Sequence, residues 1–140
     1  MLKKIGVIDG QGGGMGSAII KRLKEVFGET VEIVALGTNA IATAQMLKAK
    51  ANRGASGENA IVYSVQHVDV IAGPLGITLA NAMMGEVTPK IASAVVSSRA
   101  PKMLLPLTQE NVTLVGVSAN PLPHLVDELV SVHIQNFLAK

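Results

Sequence analysis

Lys4-Ile5-Gly6-Val7-Ile8-Asp9-Gly10-Gln11-Gly12-Gly13-Gly14-Met15-Gly16-Ser17 sets the architecture of the chain. A short β-branched run, Lys4–Asp9, reads as a strand, and a glycine cluster follows it directly. Beyond the glycines an amphipathic segment begins, in which Met15, Ala18, Ile19, Leu23, Val26 and Phe27 share one helical face. Strand, glycine loop and helix in that order form the first unit of an α/β sheet. The backbone N–H groups at such a helix start point outward at the positive end of the helix dipole, which suits a phosphate or carboxylate. Gly10, Gln11, Gly12, Gly13, Gly14, Met15 and Gly16 are therefore the first candidate binding residues.

The spacing of these glycines narrows the ligand less than their context does. The G-x-G-x-x-G fingerprint of dinucleotide sites fails in register, because its third glycine falls on Met15 or on Ser17. Gly10-x-x-x-Gly14-x-Gly16 does match the spacing of short-chain dehydrogenases, but the Tyr-x-x-x-Lys pair of those enzymes is missing. Tyr63, the single tyrosine, is followed four residues later by His67. No Gly-Lys-Ser/Thr follows the loop, so it is not a Walker phosphate loop.

Working outward, Val31–Leu36 reads as a second buried strand, and a helix is expected from Ala40 to about Asn52 with Gly54 beyond its end. Gly57–Gln66 reads as a shorter helix and Val68–Ala72 as a third strand. Thr88-Pro89 has the form of an N-cap followed by a first-turn proline, opening a helix to about Ser98. Lys102–Pro106 and Val112–Val117 read as a fourth and fifth strand. The short connection between those two is too brief for a parallel crossover, so they are expected to form a hairpin. Asn120-Pro121 opens a last helix striped by Leu122, Leu125, Val126, Leu129, Val130, Ile134, Phe137 and Leu138. The expected fold is thus one α/β domain over residues 1–140. It has three layers around a mostly parallel open sheet of about five strands, Rossmann-like or flavodoxin-like.

Three strands end on glycine: Asp9-Gly10, Leu36-Gly37 and Ala72-Gly73. Ligands of open α/β sheets sit outside the carboxyl ends of the strands, so Gly37, Thr38 and Asn39 join the candidate contacts. Dinucleotide sites usually carry an acidic residue at the end of the second strand for the ribose hydroxyls. Here that position holds Thr38-Asn39, and Glu32 lies inside the strand. Arg53 is a weaker candidate, for a 2′-phosphate. Glu58 and Asn59, at the start of a helix, could orient a ligand or simply complement the dipole. Asp9, Glu58 and Glu86 are the candidate acid/base groups, with bracing of the glycine loop favoured for Asp9 and a capping role as the alternative for Glu86. His133 falls on the apolar stripe of the last helix and reads as a core or interface histidine.

Composition excludes several classes. The 140 residues are 49% hydrophobic and only 16% charged, well below the roughly 25% of ordinary soluble domains. Disorder needs the opposite balance. A net charge of +2 and 2% aromatic residues leave neither a basic footprint nor stacking platforms for nucleic acid. With no cysteine, thiolate metal sites and disulfides are excluded, and the three histidines have no ligand spacing, so no metal is expected. Val70–Gly85, an uncharged run as long as any in the chain, is shorter than the roughly 20 residues of a membrane helix. Lys3-Lys4 leads straight into a strand with no signal-peptide pattern, and a cytoplasmic location is expected. Low charge combined with the uncharged segments Ile33–Leu47 and Val70–Gly85 predicts a homo-oligomer.

Together the glycine loop, Gly37-Thr38-Asn39-Ala40-Ile41-Ala42-Thr43, Ser56-Gly57-Glu58-Asn59-Ala60 and Gly85-Glu86-Val87-Thr88-Pro89 resemble a family of short bacterial proteins described as a domain of unknown function. The resemblance covers nearly the whole chain and implies no activity. A looser similarity, to the methylglyoxal-synthase-like fold, rests on Gly37-Thr38 and on Val70-Ile71-Ala72-Gly73-Pro74, and is an analogy of a few residues. The expected function is binding of a phosphate-bearing small molecule, a nucleotide or NAD(P), at the carboxyl edge of the sheet. One alternative is an enzyme acting on a small phosphorylated or carbonyl metabolite with its site at a subunit interface. The other is a ligand-free interaction subunit.

Overall fold

The computed structural model describes residues 1–140. Its five strands are β1 (Lys3–Asp9), β2 (Val31–Gly37), β3 (Arg53–Ser56), β4 (Val70–Pro74) and β5 (Lys102–Leu105). They form a single sheet in the order β3-β2-β1-β4-β5, and every neighbouring pair is parallel. The helices are α1 (Gly14–Phe27), α2 (Ala40–Lys48), α3 (Glu58–Ser64) and α4 (Pro89–Ser97). A C-terminal helical run follows, made of α5 (Leu122–Glu128), a π-helical stretch Leu129–Ile134 and α6 (Gln135–Leu138).

Strand periodicity divides the core between two faces. Ile5, Val7, Ile33, Ala35, Val70 and Ala72 pack with Ile19, Ile20 and Leu23 of α1, Met46 of α2 and the stripe Leu125, Val126, Leu129, Val130 and Ile134. Ile8, Leu36 and Ile71 face the other way, against Ile61 of α3 and Ile91 and Val95 of α4. All of these residues are buried. Burial on both faces is why the strands read as continuous apolar runs. Thr88 caps α4 by accepting from the Ile91 N–H at 3.2 Å, with Pro89 in the first turn.

Two elements differ from the sequence expectation. Val112–Val117 forms no strand, so the expected hairpin with Lys102–Pro106 does not exist; β5 instead pairs in parallel with β4. The fifth strand is β3, whose sequence Arg-Gly-Ala-Ser carries no strand signal. The α2 helix ends at Lys48, because Lys50 turns left-handed (φ 85°). Asn52 then clips the chain alongside β2: its N–H donates to the Ile33 carbonyl at 2.9 Å, and its Oδ1 accepts from the Ile33 N–H at 2.7 Å. Tertiary hydrogen bonding, rather than side-chain propensity, makes this strand. His133 is exposed and lies 3.4 Å from Glu128, not in the core.

Candidate functional site

The chain steps outward from β1 to β2 and β3, then returns to pair β4 with the other side of β1. The direction reverses between β1 and β4, and open α/β sheets bind ligands at such a switch point. A cleft of about 300 Å³ lies there. The glycine loop contributes Gln11 and Met15 to it, and the end of β4 contributes Pro74 and Gly76. Asn81, Met83 and Met84 form a second wall and Leu107–Glu110 a third. No lysine or arginine lines this cleft.

Asp9 organises the loop. Its Oδ1 accepts the Gly10 N–H at 2.8 Å and its Oδ2 the Gly16 N–H at 2.7 Å, while the side chain is only 4% exposed. Burial raises its pKa above the ordinary carboxylate value, and the bonds from Gly16, Gly10 and Met15 oppose that rise. With both oxygens committed to backbone donors, Asp9 braces the turn from strand to helix.

The glycines of the loop fall into two groups. At Gly13 the backbone is left-handed (φ 73°), and a Cβ would stand 2.8 Å from the Ala42 carbonyl oxygen of α2. A Cβ at Gly10 would collide with Thr38, Met83 and Glu86, and one at Gly16 with Met46 and Asp9. Internal packing accounts for those three. Gly12 and Gly14 are different: both are exposed, and nothing lies within 4 Å of where a Cβ would stand. Neither N–H has an acceptor in the protein, although the neighbouring Gly13 N–H is bonded to the Gly10 carbonyl at 2.9 Å.

Glu86 closes the other side of the loop. Its Oε1 accepts from the Gln11 N–H at 2.8 Å, the Thr38 hydroxyl at 2.7 Å and the Asn39 amide at 2.8 Å. Burial works to raise its pKa, but these three donors outweigh burial and hold it below the ordinary value. The carboxylate missing from the end of β2 is therefore supplied from the segment after β4. No donor contacts its Oε2. This fixed position makes Glu86 a brace that joins three loops. Spacing along the chain could not show this, because 47 residues separate Asn39 from Glu86.

That placement is held by an unusual backbone. Asn81 (φ 68°), Met83 (φ 58°) and Met84 (φ 57°) are all left-handed, as is Gln11 (φ 50°) across the cleft. Non-glycine residues in this region cost of order 1–3 kcal/mol each and tend to cluster at functional sites. Of the five such residues in the chain, only Lys50 lies outside the cleft wall. Glu110, absent from the sequence candidates, anchors the strained turn by accepting the Met83 N–H at 2.7 Å.

The remaining candidates separate by position. Asn39 caps α2 through the Ala42 N–H at 2.8 Å, and its amide also donates to the Gln11 carbonyl at 3.1 Å. Gly37 continues the β2 ladder, its carbonyl accepting the Gly57 N–H at 2.8 Å. Glu58 is engaged with the Thr88 hydroxyl at 2.5 Å, joining α3 to α4. Of the sequence candidates only Gln11 and Met15 line the cleft itself. Gly12 and Gly14 are their chain neighbours, and Thr38, Asn39 and Glu86 join the cleft wall through the bonds to Gln11, whereas Glu58 and Asn59 do neither. Arg53 pairs with Glu32 at 2.7 Å at the start of β3, remote from the carboxyl edge.

The strand order and the braced glycine loop define a Rossmann-like α/β domain. The chain belongs to the family described as "Domain of unknown function (DUF3842)", which it matches over residues 4–138. No curated protein matches it. No helix is long and apolar enough to cross a membrane.

Proposed function

We propose that the glycine loop, together with the cleft beside it between β1 and β4, binds a phosphate-bearing small molecule of the nucleotide or NAD(P) type. The observation that carries this reading is the pair Gly12 and Gly14. Packing accounts for the other loop glycines, but these two combine open space with unpaired N–H groups at the start of the 14-residue helix α1. A bare backbone at a helix N-terminus admits a phosphate close to the chain and offers it two donors. With no basic side chain lining the cleft, these donors and the helix dipole would supply the attraction.

Glu86 supports a nucleotide over a bare phosphate. Its Oε1 is saturated by three donors while Oε2 is open, so it is set to accept from a ligand hydroxyl, as the acidic residue of a ribose site does. The apolar Met15, Met83 and Leu107 provide a surface for a flat ring.

The test is thermal unfolding and calorimetry of the full chain with NAD⁺, NADP⁺, ATP and inorganic phosphate. A ligand at 100 times its Kd adds about 2.7 kcal/mol of stability. Stabilisation by a nucleotide that Glu86→Ala weakens supports the reading. The absence of any shift with all four overturns it.

A further inference from the structure

The largest cavity lies away from the cleft, along the outer edge of the sheet. This groove of about 490 Å³ is bounded by Lys102–Pro106 on one side and by Val117, Ser118 and Asn120 on the other, with Leu125 and Leu129 and the polar Glu128 and His133 lining it from the C-terminal helix. The outer backbone edge of β5 opens into it, because β5 pairs only with β4. The opposite edge of the sheet, β3, is polar and guarded by the Arg53–Glu32 pair. The β5 edge, Lys-Met-Leu-Leu, has no such protection beyond Lys102, whose ammonium is turned back to the Val96 and Ser98 carbonyls. An unprotected apolar edge is a template for strand addition.

The same chain carries a segment suited to that edge. Val112-Thr113-Leu114-Val115-Gly116-Val117 is rich in β-branched residues, and no Asp, Glu, Lys or Arg occurs from Asn111 to Val126. In the isolated chain these strand-forming residues stand in water: Val115 is 97% exposed, and Val112, Leu114 and Val117 are also exposed. From Thr113 to Val117 no backbone N–H or carbonyl is bonded to another backbone group. In the single chain Val115-Gly116 form a turn with Gly116 left-handed (φ 87°), which straightens when the segment pairs. One molecule thus presents both an unpaired strand edge and an apolar segment of strand-forming composition.

We propose that these two surfaces complete each other between two copies of the chain. Val112–Val117 of one copy adds to the β5 edge of the second, and the second copy reciprocates. The pairing is isologous and closes as a two-fold dimer with two ladders. It extends each sheet by one strand and covers the exposed valines, and Val117 of each copy leaves the wall of its own groove to stand beside the partner's β5. Leu107–Glu110, which wall the cleft between β1 and β4, lead into the donated segment, so the dimer also fixes that wall.

Sedimentation velocity on the full chain across the micromolar range measures the assembly, and hydrogen exchange locates it. The expected result is a dimer in which amides of both 102–105 and 113–117 become protected as concentration rises. Val115→Glu, at a site exposed in the single chain, raises the dimer dissociation constant at least about tenfold, since it seats a charge in an apolar contact. Leu114→Pro does the same by removing a ladder donor, and both variants keep the parent's circular dichroism spectrum. A chain that remains monomeric throughout overturns the proposal. So does a dimer that both variants leave intact, or one in which 113–117 exchanges as fast as in the monomer.

Discussion

The Thr38 hydroxyl donates to Glu86 Oε1 at 2.7 Å, and this bond ties the end of β2 to the turn beyond β4 across the mouth of the glycine loop. The same oxygen takes the Gln11 N–H, so one carboxylate holds three loops in register. Thr38→Val keeps the shape and deletes this donor. A hydrogen bond to a charged group is worth roughly 1.5–3 kcal/mol. Equilibrium urea unfolding should show a loss at or somewhat below that range, because Gln11 and Asn39 still hold the half-buried carboxylate. On the proposed function nucleotide affinity should fall as well, since two donors instead of three then hold the carboxylate that presents Oε2.

Glu86 also gives the fold a pH dependence whose sign follows from its donors. Its folded pKa lies below the ordinary value of 4.5, so between the two values the unfolded chain binds more protons. The stabilisation is present above the unfolded pKa and is lost as pH falls through the folded one. Glu86→Gln removes this contribution. Its unfolding free energy should therefore fall less steeply than the parent's below pH 4.5. Equal acid slopes in urea titrations of the two proteins would count against the three-donor arrangement.

Much of this organisation is legible in the sequence because it rests on local physics. The strand, glycine loop and helix of residues 4–27, the Thr88-Pro89 cap and the stripe of the last helix are set by periodicity and backbone conformation. Sequence and structure part company where long-range contacts decide. β3 exists because Asn52 bonds Ile33 and because Gly54 lets the strand lie close to Thr43 and Leu47 of α2. Val112–Val117 has the composition of a strand but finds no edge within its own chain. Glu86 is visible as a residue, but its role depends on loops that meet only once the sheet is assembled.

Asp9→Asn tests the brace of the loop. The amide retains one acceptor oxygen and turns its NH₂ toward either the Gly10 or the Gly16 N–H, both now served by Asp9. One buried donor loses its partner, at a cost of about 1–3 kcal/mol. The pH dependence changes with it. The Asp9 pKa is raised in the fold, so its contribution is fully present below the unfolded value of 3.8 and is lost as pH rises through the folded pKa. The parent should show this decline as a component of its stability profile on the alkaline side of 3.8, and Asp9→Asn should lack it.

The glycine loop allows fold and binding to be separated residue by residue. Gly13→Ala forces a Cβ into a left-handed backbone, at about 1–2 kcal/mol, and presses it against the Ala42 carbonyl. That variant should lose stability in urea unfolding whether or not a ligand binds. Gly12→Ala meets nothing within 4 Å, so its stability should stay within about 0.5 kcal/mol of the parent. Gly14→Ala, in the first turn of α1, should be neutral or more stable by up to about 1 kcal/mol, because alanine is the better helix former. Both of these methyl groups stand where the proposed phosphate would approach the N–H groups. Titration calorimetry should show nucleotide affinity reduced at least about tenfold in each, a loss of about 1.4 kcal/mol. Unchanged affinity in both variants would place the phosphate elsewhere and leave glycine at these two positions with no role in binding.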